Sequence, residues 1–321
     1  MSCYHPIAGY PDFSSVTDNG KRVYKLNGRY DPELKRIDPY YISIPCGRCI
    51  GCRLDYSRAW ADRMMLELDH SKKAVFLTLT YDNDHVPFTE QEYTGEFGCF
   101  SLNKRDLQLF FKRLRKQFKG YEIRFYAVGE YGTNTFRPHY HAIVFGLGLE
   151  DFRDRKLLGS NELGQPHFKS DYLASIWQNG FCVIADVSWE TMAYVSRYVQ
   201  KKVYAGYNFL TDQFDAVPEF SLMSRRPGIG GYYMQDHPEL FDYSVIHVKG
   251  CPKDIQIPRY FMKKLELTEP DLFAKIQDER KKFSEDHILL KMQQTDLSFL
   301  EQLEVEENDK LMRTAVLKRF L

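Results

Sequence analysis

Two runs of alternating residues, Tyr121–Glu130 and His139–Phe145, constrain the fold of this 321-residue chain more than any other feature. Alternation at period two requires a pleated strand with one covered face. The loop between the runs holds Gly132, Thr133, Asn134 and Pro138, turn-forming residues that let the second run fold back along the first. The pair is therefore expected to form an antiparallel hairpin, around which the remaining elements must arrange.

Ala74–Tyr81, apolar, β-branched and aromatic, reads as a buried strand ended by the turn residues Asp82-Asn-Asp. Helical spacing recurs from Leu54 to Leu68. It recurs again from an N-cap at Asn103 to about Phe118, with Leu107, Phe110, Phe111 and Leu114 on one stripe. A short helix over Tyr172–Gln178, a strand over Phe181–Val187 and a helix over Trp189–Lys202 complete a βαββαβα order. The expected class is α+β, an antiparallel β-sheet covered by helices. Residues 1 to 45, rich in Gly, Pro, Tyr and Asp, read as an irregular arm. From Pro258 onward helical periodicity returns in an appendage that includes an acidic stretch from Glu301 to Asp309. The expected division is an arm with the first helix over 1–70, a core over 71–205, and a basic, glycine-rich loop region with a helical appendage over 206–321.

The 44 Lys and Arg balance the 44 Asp and Glu, so the chain is no polycation and any nucleic-acid contact needs a local basic face. No apolar run spans a membrane and no leader precedes the chain, which predicts an intracellular protein with no membrane partner. No GxxxxGK[ST] phosphate loop occurs.

On a strand, His139 and His141 project from the same face and can chelate one ion, with Glu130 across the hairpin as an oxygen ligand. Tyr194 and Tyr198 lie four apart on one helix face, a spacing more often used for packing, with cations at Arg197, Lys201 and Lys202 close by. A phenol is a weak nucleophile at neutral pH, so attack on a phosphodiester needs an electrophile activated by a bound cation. The product would be a phosphotyrosine link and a free 3′ hydroxyl. Seven cysteines include Cys46-Gly-Arg-Cys49-Ile-Gly-Cys52, a thiolate cluster suited to a structural zinc that pins the arm. Cys3 is the choice for fourth ligand and His5 the reserve; an iron–sulfur cluster or free thiols are the alternatives. Candidate DNA contacts are Lys104, Arg105, Lys112 and Arg113 on a basic helix face, Arg197 and Lys202, and Arg225 and Arg226 beside Gly228, Gly230 and Gly231.

Thr78-Leu-Thr80 on a strand, Glu130 in Val-Gly-Glu-Tyr-Gly, His139-Tyr-His141 and the YxxxYxxK helix, in this order, resemble the HUH rolling-circle replication initiators. With the CGRCIGC segment added, the resemblance is closest to the initiators of gokushovirus-type microviruses, small phages with circular single-stranded DNA. It spans about Cys46 to Lys202. It implies the HUH endonuclease fold, Glu130, His139 and His141 as ligands of Mg or Mn, Tyr194 and Tyr198 as nucleophiles, and Lys201 as the phosphate-side cation. Arg197 stands where two-tyrosine members often carry lysine after the first tyrosine, so Tyr198, which keeps the YxxK spacing, is the favoured nucleophile. The implied activity is nicking and religation of a single-stranded replication origin in the cytoplasm of a bacterial host, with a host helicase and polymerase as partners. Plasmid relaxases and transposases share this chemistry. A non-catalytic zinc-dependent DNA-binding protein is the reading from a different class.

Overall fold

The computed structural model describes residues 3–17, 22–38, 40–89, 98–132, 135–161, 164–203 and 215–315, apart from the side chains of residues 36, 198–203 and 315. The chain divides into two compact units, one built from Met1–Tyr56 and Met262–Leu317, the other from Ser57–Phe261. Among the described residues no helix is long and apolar enough to cross a membrane.

In the first unit, β1 (Ile7–Val16), β2 (Arg22–Arg29) and β3 (Ile42–Ile44) form an antiparallel sheet in the order β2-β1-β3, with α1 (Pro32–Ile37) between β2 and β3. The irregular arm expected over residues 1 to 45 is thus corrected to a sheet. Its strands were hidden by register shifts along β1 and by Gly9 and Pro11, which lower strand propensity. Gly9 is needed because a Cβ there would stand 2.6 Å from Ile44 Cδ1 and 3.0 Å from Ile42 Cγ1 on β3. Ala8, Tyr30 and Tyr41 form a small core under the sheet, with the Tyr30 and Tyr41 rings stacked at 5.0 Å.

The helix α2 (Ile50–Ser71) leads into the second unit, where β4 (Ala74–Tyr81), the short ribbon β5 (Phe88–Thr89) and β6 (Cys99–Phe100), α3 (Lys104–Gln117), β7 (Arg124–Tyr131), β8 (Pro138–Phe145), β9 (Lys156–Ser160), β10 (Pro166–Lys169), α4 (Asp171–Trp177), β11 (Gly180–Ala185), α5 (Trp189–Val203) and β12 (Phe220–Met223) follow. Seven of these strands pair antiparallel in the order β12-β7-β8-β4-β11-β10-β9. The mixed α+β class with an antiparallel sheet and covering helices agrees with the sequence reading. The β9–β10 hairpin, β12 and the β5–β6 ribbon were not anticipated.

α3 forms as its residues dictate. Asn103 Oδ1 accepts from Arg105 N at 2.9 Å as the N-cap, and Leu107, Phe110, Phe111 and Leu114 recur at helical spacing and are all buried. They pack with Ile176 and Trp177 of α4 on Leu77, Leu79, Tyr140, Ala142 and Val144, each side chain stabilising the unit by about 1.5–3 kcal/mol. Alternation sends His139, His141 and Ile143 to the opposite face, against which α5 packs through β7 and β8. α2 covers this second face as well: Trp60 lies 4.9 Å from Tyr126, Ser57 Oγ donates to Ala193 O at 2.7 Å, and Asp62 accepts from Trp189 Nε1 at 2.9 Å.

Chain termini meet in the first unit, whose remaining helices are α7 (Arg259–Thr268) from Met262 onward, α8 (Pro270–Gln293) and α9 (Phe299–Ala315); α6 (Gly231–Asp236) precedes them in the second. The helical appendage expected after Pro258 is therefore helical. His5 Nε2 bonds Glu307 Oε2 at 2.6 Å and Arg29 Nη1 donates to Glu304 Oε1 at 3.0 Å.

Candidate metal and tyrosine site

The β7–β8 hairpin sets Glu130 directly opposite His139, and β8 in turn sets His139 opposite Thr80 and His141 opposite Thr78 on β4. His139 Nε2 lies 2.6 Å and His141 Nε2 3.0 Å from the same oxygen, Glu130 Oε1. Each of the three residues offers a ligand atom within 4.8 Å of the others. Glu130 is 3% exposed and His141 2% exposed, so this charge cluster is drawn out of water.

Tautomers are set from behind. His139 Nδ1 stands 3.2 Å from the carbonyl of Arg137 and His141 Nδ1 3.0 Å from Thr78 Oγ1. With those nitrogens protonated, both Nε2 lone pairs face Glu130. Burial works against the Glu130 carboxylate, yet the two imidazoles outweigh it and hold the carboxyl below its usual range. Burial likewise opposes charge on His139, but Glu130 outweighs it and raises its pKa; in His141 burial wins and the pKa falls.

A divalent cation fits this donor set. Glu130 Oε2 is buried with no hydrogen-bond partner, a costly state unless a further group satisfies it. Two nitrogens and one carboxylate on one side of an ion leave coordination positions open.

Tyr194 on α5 completes the cluster, its ring 5.9 Å from that of His141 and close to perpendicular, with the residue 7% exposed. Tyr198, Lys201 and Lys202, one and two turns further along α5, have side chains outside the described residues. Arg197 is half-buried and its Nε donates to Ala193 O at 3.3 Å.

The basic face of α3 stands elsewhere. Because α3 packs on the Tyr140 side of the sheet, Lys104, Arg105, Lys112 and Arg113 project from the layer behind the histidines. Lys104 lies over Phe220 at 5.0 Å. Arg113 donates through Nε to Ile176 O and through Nη2 to Trp177 O, both at 2.6 Å, capping the C-terminus of α4. This placement corrects the expectation of a shared basic face: the spacing of cations on a helix carries no information about which side of the sheet the helix covers.

Arg225 and Arg226 are exposed, but their loop leaves the sheet at the Arg124 end of β7, where Ser224 N donates to Phe125 O at 2.9 Å. Glu130 lies six residues along, roughly 20 Å away. The loop is anchored by groups that sequence reasoning missed. Glu67 on α2 is fully buried; it accepts from Arg124 Nε and, at 2.6 Å, from Gly230 N. Arg124 Nη2 donates to Pro227 O at 2.8 Å, and Arg63 Nη2 to Ile229 O at 2.8 Å. A buried charge inside a helix that reads as merely amphipathic was the available signal.

Tyr140, between the histidines, was also missed. Its hydroxyl lies 2.8 Å from Tyr81 OH and accepts from Asn103 N at 2.9 Å. The residue that points away from the site thus ties β8 to the N-terminus of α3.

In the first unit Cys3, Cys46, Cys49 and Cys52 bring their sulfurs within 4.8 Å of one another. Main-chain amides point at them: Cys46 N donates to Cys3 Sγ at 3.2 Å, Cys49 N to Cys46 Sγ at 3.3 Å, and Tyr4 N to Cys49 Sγ at 3.4 Å. Gly47, at φ +73°, allows the tight turn that aims the amides of residues 48 and 49. Burial opposes ionisation of Cys46, yet the Cys49 and Arg48 amides prevail and lower its pKa, whereas burial raises Cys3 to about 11. His5, the reserve ligand, is engaged with Glu307 instead. Among the remaining cysteines, Cys182 is buried in the sheet core and Cys99 packs against it.

A carboxylate and two imidazoles on an antiparallel sheet, with a helix-borne tyrosine beside them, define the class of site. Residues 74–203 match the family model for the replication-associated protein ORF2. The replication-associated protein ORF2 of Spiroplasma virus 4 is 31% identical over 287 residues, which cover 85% of this chain and 83% of that protein. Replication-associated protein VP4 of Bdellovibrio phage phiMH2K is 26% identical over 298 residues, covering 89% and 85%. Replication-associated protein ORF4 of Chlamydia phage 1 is 27% identical over 202 residues, covering 62% and 48%. No solved structure matches the chain. The chain belongs to the family of microvirus replication-associated proteins.

Proposed function

We propose that this replication-associated protein is an HUH-type initiator that nicks a single-stranded replication origin through tyrosine and later rejoins the ends. The observation that carries this reading is Tyr194, whose ring lies 5.9 Å from that of His141 in the Glu130–His139–His141 cluster. A packing tyrosine has no need of a neighbouring group of this composition, and a structural metal site has no need of a tyrosine.

Glu130, His139 and His141 would hold Mg or Mn, the imidazole pair favouring Mn. When bound, the ion supplies charge for a phosphate oxygen and polarises phosphorus. The chain's own groups do the rest. The hydroxyl oxygen of Tyr194 or Tyr198 attacks phosphorus, the bond to the 3′ oxygen breaks, and that oxygen takes up a proton. Lys201 stands one turn from Tyr198, where its charge balances the phosphate. The phosphotyrosine keeps the phosphodiester free energy, so attack by a 3′ hydroxyl reverses the step and closes a circle. Two tyrosines on one helix allow one to hold the 5′ end while the other cuts. The work takes place in the cytoplasm of the bacterial host, with helicase and polymerase supplied by the host.

Incubation with single strands drawn from the phage origin and MnCl2 is expected to give an adduct that survives boiling in detergent. EDTA, His139→Ala and Glu130→Ala should each reduce its yield by about 100-fold or more. An adduct that forms at the wild-type rate in Glu130→Ala would remove the metal site from the reaction.

The four cysteines are read as a structural zinc site that joins residue 3 to the start of α2. Purified protein is expected to carry about one tightly held zinc per chain, lost in Cys49→Ser together with cooperative unfolding of the first unit. Elemental analysis showing iron with acid-labile sulfide, or no metal in the wild type, would replace this assignment.

A further inference from the structure

β11 lies two strands from β8, and one register row runs through both. Glu130 pairs with His139, His139 with Thr80, and Thr80 with Phe181. The residues flanking this row, among them Leu79, Tyr81, Tyr140 and Cys182, are buried in the core beneath α3 and α4, so the row itself faces the metal side. Phe181 nonetheless remains 67% exposed, unlike Cys182 and Ile184 beside it. A lone exposed phenylalanine needs no explanation. One in register with the candidate site, roughly 10 Å from His139 across two strand spacings, does.

The next row out carries His141, Thr78, Val183 and then Lys169 of β10, which is exposed. From the histidines outward the sheet presents hydroxyls, an aromatic face and a cation. The acids nearest this path are engaged: Asp82 Oδ1 lies 2.7 Å from His85 Nδ1, and Asp171 accepts from Lys156 Nζ at 3.2 Å. Aromatic faces with flanking positive charge suit a single strand, whose splayed bases expose their π-faces, and not a duplex, whose bases already stack on one another.

We propose that Phe181 is the platform on which a base flanking the scissile phosphate stacks, with Lys169 contacting the backbone of the same single strand. This rests on the nicking reading above and adds the path the DNA takes from the site.

Binding of fluorescein-labelled oligothymidylate to the full-length protein, followed by anisotropy in EDTA so that no cleavage occurs, tests it. Phe181→Ala is expected to weaken binding by about 5- to 150-fold. Phe181→Leu, which keeps the apolar bulk, should weaken it comparably, and Phe181→Tyr should bind like wild type. Lys169→Ala is expected to flatten the slope of log K against log salt by about 0.7. With an oligonucleotide that the protein cleaves, a single abasic position moved along the strand should cost the wild type affinity at one place beside the cut and cost Phe181→Ala nothing there. Unchanged melting temperatures would confirm that the exposed position is free to vary. Phe181→Ala binding like wild type, or weakening duplex and single strand equally, would overturn the platform. If the wild type forms no covalent adduct with any genome-derived single strand, the nicking reading fails instead, and the two failures are distinguishable.

Discussion

Tyr194→Phe/Tyr198→Phe is expected to lose the covalent protein–DNA adduct altogether, a fall of at least about 10³-fold, while binding single strands with little change in affinity. The separation follows from what the substitution removes. Phenylalanine retains the ring that packs beside His141 and deletes only the oxygen that would bond to phosphorus. Glu130, His139 and His141 are untouched, so metal uptake should match the wild type. The single variants divide the labour. If one tyrosine makes the first cut and the other resolves the circle, the cutting variant yields no adduct, and the resolving variant yields an adduct that cannot be released as closed circles. Tyr198 is favoured for the first cut on its YxxK spacing to Lys201, whereas Tyr194 is the one beside His141. Mapping the linked residue by peptide mass after nuclease digestion decides between them. A double variant that still forms adduct would place the nucleophile elsewhere.

Glu67→Gln is expected to destabilise the second unit by roughly 3–5 kcal/mol, the usual cost of stripping one partner from a buried ion pair. For a unit of about 200 residues this lowers Tm by roughly 6–20 °C. Glu67 is fully buried and receives both Arg124 Nε and Gly230 N. The neutral amide leaves the Arg124 charge without its counterion inside the protein. The effect should also have a location: hydrogen exchange at Gly230 and its neighbours should rise before that of β4 and β8, because the loop from Ser224 to Gly231 is held through this pair. A thermal scan within 1–2 °C of wild type would show that water reaches Arg124 and that the pair is not isolated from solvent.

How much was legible in the sequence depended on whether local chemistry decided the outcome. The boundaries of β4 and α3 were readable because Ala74–Tyr81 is continuously apolar and Asn103 has a cap to offer its helix. The cluster of Glu130, His139 and His141 was readable for a related reason, since period-two alternation and a short loop leave little freedom in what lies opposite what. The N-terminal sheet was not readable, because Gly9 and Pro11 weaken the strand signal and the aromatic core under it is assembled from Ala8, Tyr30 and Tyr41, far apart in sequence. The basic stripe on α3 was visible, but not its side of the sheet, and a cation at Arg113 gave no hint that it would cap α4.

By itself the sequence determined the hairpin, the face shared by the two histidines, the helix carrying Tyr194 and Tyr198, and the local CxxCxxC turn, all set by interactions within a few residues of one another. Only the tertiary structure decided that Tyr194 reaches His141, that Cys3 joins the distant thiols, that Glu67 and Arg124 form one buried pair, and that Phe181 stands in register with His139. These depend on which strands become neighbours and which helix covers which face. That choice is made by burying one apolar surface against another across long stretches of chain, which no local pattern records.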